Sequence, residues 1–139
     1  MNTETTRAIV GEIYEAYARR DFDIVAARIG ERIDWIIYAP VDLFPFAGPR
    51  RGRKEVLTAL ASIAERYAVD SYRPEVIVVD GDRAAVMSDV AFVQRASGRT
   101  LRFRVANFLR FEDGKVVEFR EFMNTLDVAE QALGHFIAR

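Results

Sequence analysis

The chain has no cysteine and a single histidine among its 139 residues. Without thiols there is no disulfide framework and no thiolate metal centre, and one histidine cannot assemble an imidazole site. No run of about 18 apolar residues occurs, so a membrane-spanning helix is excluded. An excess of charge of one sign is missing as well: 20 basic residues face 21 acidic ones, for a net charge of -1. Neutralising phosphates requires a basic face, so nucleic acid is not an expected partner. The polar N-terminus MNTETTRAIV lacks the apolar stretch of a secretory signal, and a cytoplasmic location is the default expectation. Only 4 prolines occur, and three of them fall within residues 40–52. That concentration predicts a long loop there and regular structure elsewhere.

What is present is half hydrophobic, enough for one core and one domain spanning 1–139. Residues 3–20 read as a helix, with Ile9, Ile13 and Tyr17 on one stripe and Asn2 or Thr3 as cap. A short helix fits 22–29, a strand 33–38, and a third helix 53–67 through Val56, Leu60, Ile63 and Tyr67. Strands are expected at 75–80, 84–94, 100–111 and 115–123, joined by turns at Asp80-Gly81-Asp82, Ala96-Ser97-Gly98 and Glu112-Asp113-Gly114. A terminal helix fits 125–137, with Asn124 as its cap and His135 in its last turn. Helices first and hairpins afterwards indicate an α+β fold. The expected form is a cone-shaped, curved antiparallel sheet packed against three helices, with a pocket at the open end.

The alternation of the last strands singles out three polar residues. Leu101, Phe103, Val105, Asn107, Leu109 and Phe111 share one face, and Asn107 is its only polar member. On the next strand Val117, Phe119, Glu121 and Met123 share a face holding one carboxylate, Glu121. Ser88 interrupts Ala84, Val86, Val90 and Phe92. A buried amide without partners loses about 1–3 kcal/mol, and isolated polar groups in an apolar cup are the signature of a small-molecule pocket. Desolvation raises the pKa of a carboxyl group in such a cup, which suits a general acid or base. The competing reading makes Glu121 a structural ion-pair or tyrosine partner, and Ser88 a hydroxyl satisfied by backbone. Tyr14, Tyr17, Trp35, Tyr38, Phe44, Phe46, Phe103, Phe119 and Met123 are the candidate apolar and aromatic wall, with Tyr17 the best placed tyrosine for a ligand. Core packing is the alternative use of each. Residues 41–49, with Leu43, Phe44 and Phe46, are expected to border the mouth as lid or wall. No metal site and no cofactor are expected.

The order of elements resembles the SnoaL-like family of the nuclear transport factor fold (a cystatin-like roll), related to ketosteroid isomerases and limonene epoxide hydrolases. The strings that carry the resemblance are Arg20-Asp21-Phe22-Asp23, Pro40 with Gly48-Pro49-Arg50-Arg51-Gly52, Phe111-Glu112-Asp113-Gly114-Lys115-Val116-Val117, and Arg120-Glu121-Phe122. In ketosteroid isomerases an aspartate base precedes the proline ending the first strand; that position is Ala39 here. Their protonated aspartic acid falls at Asn107, and their first-helix tyrosine falls near Ile13, beside Tyr14 and Tyr17. The arginine–aspartate pair of the epoxide hydrolases reads Val105-Ala106-Asn107, and their last-strand carboxylate matches Glu121. The resemblance therefore implies a cofactor-independent isomerase, cyclase or hydrolase acting through Glu121 and Asn107 on a small apolar ligand. The alternative is a binding module without chemistry, favoured by Ala39. The opposite sheet face carries Asp89, Ala91, Val93, Arg102, Arg104, Ala106, Phe108, Glu118, Arg120 and Phe122. That mixture, with the resemblance, implies a twofold homodimer, and cross-strand ion pairs are expected of Asp89, Arg102 and Arg104.

Overall fold

The computed structural model describes residues 1–137. In chain order it contains α1 (Thr3–Ala18), α2 (Phe22–Ala27), β1 (Ile29–Ile37), β2 (Gly48–Arg51), α3 (Arg53–Arg66), β3 (Tyr67–Asp80), β4 (Arg83–Gln94), β5 (Thr100–Glu112), β6 (Lys115–Met123) and α4 (Thr125–Leu133). One six-stranded sheet runs in the order β2-β1-β6-β5-β4-β3. The β3–β6 meander is antiparallel throughout, whereas β1 lies parallel to β6. The α+β architecture is as expected, with four helices among the described residues and a sheet longer on both edges than the sequence suggested.

Both edge extensions have a physical cause. β3 begins at Tyr67 rather than Glu75. Pro74 cannot donate to a ladder and looks like a strand boundary in sequence, but β3 is the sheet edge, where proline is tolerated. The pairing register breaks between Pro74 and Val76 and then resumes. At the other edge, part of the expected 40–52 loop forms β2 against β1, with Trp35 opposite Arg50 and Ile37 opposite Gly48. Gly48 adopts a φ of 88° and Gly52 a φ of 86°, left-handed values that favour glycine and turn the chain into and out of this short strand. The third helix ends one residue early because Tyr67 is already extended. The terminal helix stops at Leu133, where Gly134 takes a left-handed conformation. His135 therefore lies beyond the helix, not in its last turn.

α1 is fixed at its start. Asn2 accepts from the Thr5 amide at 2.8 Å, and the buried Thr6 hydroxyl donates to the Gly81 carbonyl at 2.6 Å. This ties the helix to the β3–β4 turn and lays Ile9, Val10, Ile13 and Tyr14 on the concave sheet face. The expected cap of α4 forms, with Asn124 accepting from the Asp127 amide. On the convex face Asp89 pairs with Arg73 and Arg104 with Glu75, at 2.7 and 2.8 Å. Asp89 and Arg104 are register neighbours, yet each takes its ion-pair partner from β3, Arg104 from its expected part and Asp89 from the part before Pro74.

Candidate functional site

The concave face of the sheet, α1, α3 and the 41–47 segment enclose a cavity of about 130 Å³. Alternation delivers its polar floor. Asn107 on β5 and Glu121 on β6 are directly opposed in the antiparallel register, and Val86 on β4 lies beside Asn107. Odd-numbered residues of β5, and of β6 from Phe119 onward, face inward, so both polar side chains enter the space that Val105, Leu109 and Phe119 otherwise fill; beyond the register shift between Arg110 and Phe111 it is Val116, not the expected Val117, that lines the cavity. Asn107 is 1% exposed.

A hydrogen-bond chain connects the floor to α1. The Tyr14 hydroxyl donates to Asn107 Oδ1 at 2.7 Å, and the Tyr72 hydroxyl reaches the same oxygen at 3.4 Å. With two phenol donors on its carbonyl side, the amide turns its nitrogen to Glu121, and Nδ2 donates to Oε1 at 3.0 Å. One of the two Nδ2 hydrogens is thus used, and the other makes no hydrogen bond to a described residue. Tyr17 stacks edge-on against Tyr72 with centroids 5.2 Å apart. Its hydroxyl makes no hydrogen bond to any described residue.

Glu121 is the only charged side chain among the described residues lining the cavity, and no lysine, arginine or histidine stands with it. Burial pushes its carboxyl group up from 4.5 to about 7, against a smaller downward pull from the Asn107 hydrogen bond. Burial, followed by the Glu121 charge, raises Tyr14 and Tyr17 above the ordinary phenol value. Tyr72 is raised first by burial, then by Tyr14 and Glu121, while Ser88 lowers it slightly. At neutral pH the cavity therefore holds a carboxyl group shared between its two protonation states, surrounded by phenols that remain donors. Such a group can take and return a proton near pH 7.

Most of the residues singled out in the sequence meet here. Tyr14, Tyr17, Trp35, Phe44, Phe46, Phe103, Phe119, Met123, Asn107 and Glu121 all line the cavity. Trp35 stacks on Phe119 at 4.0 Å. Phe44 and Phe46 are buried and form wall, held by turns from Phe44 to Pro40 and from Ala47 to Phe44. Two candidates are placed elsewhere. Tyr38 is 42% exposed and stacks on Phe122 across the convex face, because it follows Ile37 and so takes the outward parity. Ser88 faces inward but lies fully buried outside the cavity lining. Its hydroxyl is near enough to Tyr72 to affect that phenol and has no hydrogen-bond partner of good geometry. Tyr72 and Tyr67 line the cavity and were not foreseen. The β-prone run Tyr67-Ala68-Val69 is hidden by the helical stripe that ends on Tyr67, and Tyr72 by Pro74, which reads as a strand boundary.

Comparisons with known proteins agree with this architecture. No curated protein matches the chain. Among solved structures, a "Putative Isomerase" from Rhodopseudomonas palustris is 31% identical, with a TM-score of 0.84 over 97% of this chain and 100% of that one. An NTF2-like protein from Burkholderia pseudomallei is 22% identical, with a TM-score of 0.83 over 92% of this chain and 97% of that one. An LEH-like epoxide hydrolase of M. tuberculosis is 19% identical, with a TM-score of 0.76 over 95% and 92%. The last two show likeness of fold alone. The model of the SnoaL-like domain matches residues 10–119, a span running from the middle of α1 to the strand that carries Glu121, and on that match the chain belongs to the SnoaL-like family.

Proposed function

We propose that the cavity carries out cofactor-independent acid–base chemistry on a small, uncharged, largely apolar molecule bearing a carbonyl or epoxide oxygen. The observation that carries this reading is the single carboxyl group, poised near neutrality, in an apolar space without a counter-charge. In an isomerisation Glu121 takes a proton from the carbon next to a carbonyl, and the electron pair moves to the oxygen as an enolate. The free Nδ2 hydrogen of Asn107 and the Tyr17 hydroxyl donate to that oxygen. Glu121 then returns the proton to a different carbon. In an epoxide opening the same carboxylate takes the proton of the attacking water, the Tyr17 hydroxyl protonates the oxygen of the breaking C–O bond, and the proton now on Glu121 passes back to Tyr17 through solvent, leaving a diol and both groups restored. The likeness to the 31% identical protein described as a "Putative Isomerase" agrees with the first of these.

The second reading is a ligand-binding module without turnover. Ala39 favours it: this methyl group lines the cavity where the isomerase resemblance expects a base. The experiment that separates the two is solvent deuterium incorporation into cyclohexanone and 3-cyclohexenone, with cyclohexene oxide hydrolysis in parallel, followed by NMR. Chemistry at Glu121 predicts protein-dependent exchange or diol formation that rises through about pH 7 as the carboxylate forms. Binding without turnover predicts saturable ligand shifts and no exchange above the buffer rate.

We propose further that the convex sheet face joins a second copy of the chain around a twofold axis. Phe108 and Phe122 are 51% and 45% exposed. They sit beside Tyr38 in an aromatic group, Tyr38 stacked on Phe122 with centroids at 4.6 Å and Phe108 edge-on to Phe122 at 6.0 Å. Asp89, Arg104 and Arg120 surround this group on the same face, so each copy presents both signs of charge to the other. Sedimentation at micromolar concentration is expected to give a dimer, and Phe122→Asp a monomer. A wild-type monomer contradicts the proposal.

A further inference from the structure

Outside the cavity a second recess of about 230 Å³ opens between α2 and α3. Tyr17, Val25, Leu60, Ile63 and Tyr67 line both spaces. The cavity and the recess are therefore separated by one layer of side chains. Leu60 and Ile63 are only half-buried, and leucine and isoleucine move between staggered rotamers without moving the backbone. The recess is apolar along Val25, Ala26, Leu57, Ala61, Ala64 and Val69, and Asp23 is the one charged lining residue among the described residues. Phe22 at its edge is 40% exposed.

The size of the cavity makes this continuity meaningful. An apolar cavity of about 150 Å³ accommodates a molecule the size of benzene, so about 130 Å³ holds a single ring and little more. We infer that the two spaces are the arms of one bent binding site. The reactive ring or carbonyl of the ligand lies against Glu121 and Asn107, and an uncharged hydrocarbon tail crosses between Leu60 and Ile63 into the α2–α3 recess. This assignment rests on the reading of the cavity as a ligand site and names the class of ligand: a small polar head carrying an alkyl chain, with no negative charge.

The test is a pair of neutral probes, cyclohexanone and 4-hexylcyclohexanone, titrated against the intact protein. Binding is followed through the fluorescence of Trp35, the single tryptophan, which lines the cavity. The hexyl chain is expected to tighten binding at least 30-fold. Ala61 and Ala64 line the recess and not the cavity. Ala61→Phe and Ala64→Phe should each reduce that gain to under threefold while leaving cyclohexanone affinity unchanged. Ala61 is solvent-exposed, so its variant keeps the fold if Ala64→Phe does not. A wild type that binds cyclohexanone and gains nothing from the chain overturns the inference, as does a gain that survives Ala61→Phe. If neither probe binds the wild type, the cavity reading fails and the two-armed site fails with it.

Discussion

Glu121→Gln is expected to lower turnover by at least 100-fold and, above pH 7, to make the protein more stable than the wild type. The kinetic part follows from general acid–base catalysis, which contributes about 10²–10⁴-fold. Glutamine keeps the shape and still accepts from Asn107 Nδ2, but cannot carry the proton. The stability part follows from linkage. The folded carboxyl group titrates near 7 and its ordinary value is 4.5. Between those values the folded chain holds a proton that the unfolded chain has released. The wild type thus has its full stability from this group below about pH 4.5 and loses it as pH rises through 7. The loss is about 3 kcal/mol, taking about 1.4 kcal/mol for each pH unit between the two values. Glutamine is uncharged throughout and escapes it. Urea denaturation at pH 4.5 and pH 8 measures the effect: the variant's advantage should be near zero at the lower pH and close to its full size at the higher one. Equal behaviour at both would mean that Glu121 is solvated, and acid–base chemistry at neutral pH would lose its basis.

The second large effect is expected from Asn107→Leu. Leucine keeps the branched shape of the amide, with somewhat greater bulk, but removes its carbonyl and both of its donors. Tyr14, buried and bonded to Oδ1 at 2.7 Å, loses its acceptor, and an unsatisfied buried hydroxyl costs about 1–3 kcal/mol. Glu121 loses the donor that pulls its pKa down. The pH–rate midpoint should therefore move upward from about 7, and the maximal rate should fall by roughly 10²–10³-fold if the free amide hydrogen stabilises an oxyanion. A rate loss without a moved midpoint would show that Asn107 acts on the ligand and not on Glu121. A moved midpoint without loss of maximal rate would show the converse. Stability is read separately in urea, so simple unfolding is distinguishable from both.

The parts of this site that could be read from sequence are those that depend on parity. Asn107 and Glu121 each interrupt an apolar alternation on neighbouring strands, and the register places them opposite one another. Parity also explains a correction: Tyr38 follows the inward Ile37 and goes outward to Phe122, as strict counting along Ile33, Trp35 and Ile37 would have required. Depth is not encoded in alternation, which is why Ser88 has the inward parity of a lining residue and still lies outside the cavity surface. Tyr72 was hidden by Pro74, because a proline marks a boundary in a central strand but not on an edge. That one ambiguity concealed the first half of β3, a second phenol on Asn107 and the Arg73 partner of Asp89. The loop at 40–52 was misread for a similar reason, since prolines and glycines that suggest irregular chain also fit a short edge strand.

The function argued here depends on one physical quantity, the protonation state of the carboxyl group on the cavity floor. It can be measured directly by following the side-chain carboxyl carbon of Glu121 by ¹³C NMR from pH 3 to 9, with Glu121→Gln assigning the resonance. A single titration with its midpoint near 7 is expected. A midpoint near 4.5, the ordinary carboxylate value, would contradict it.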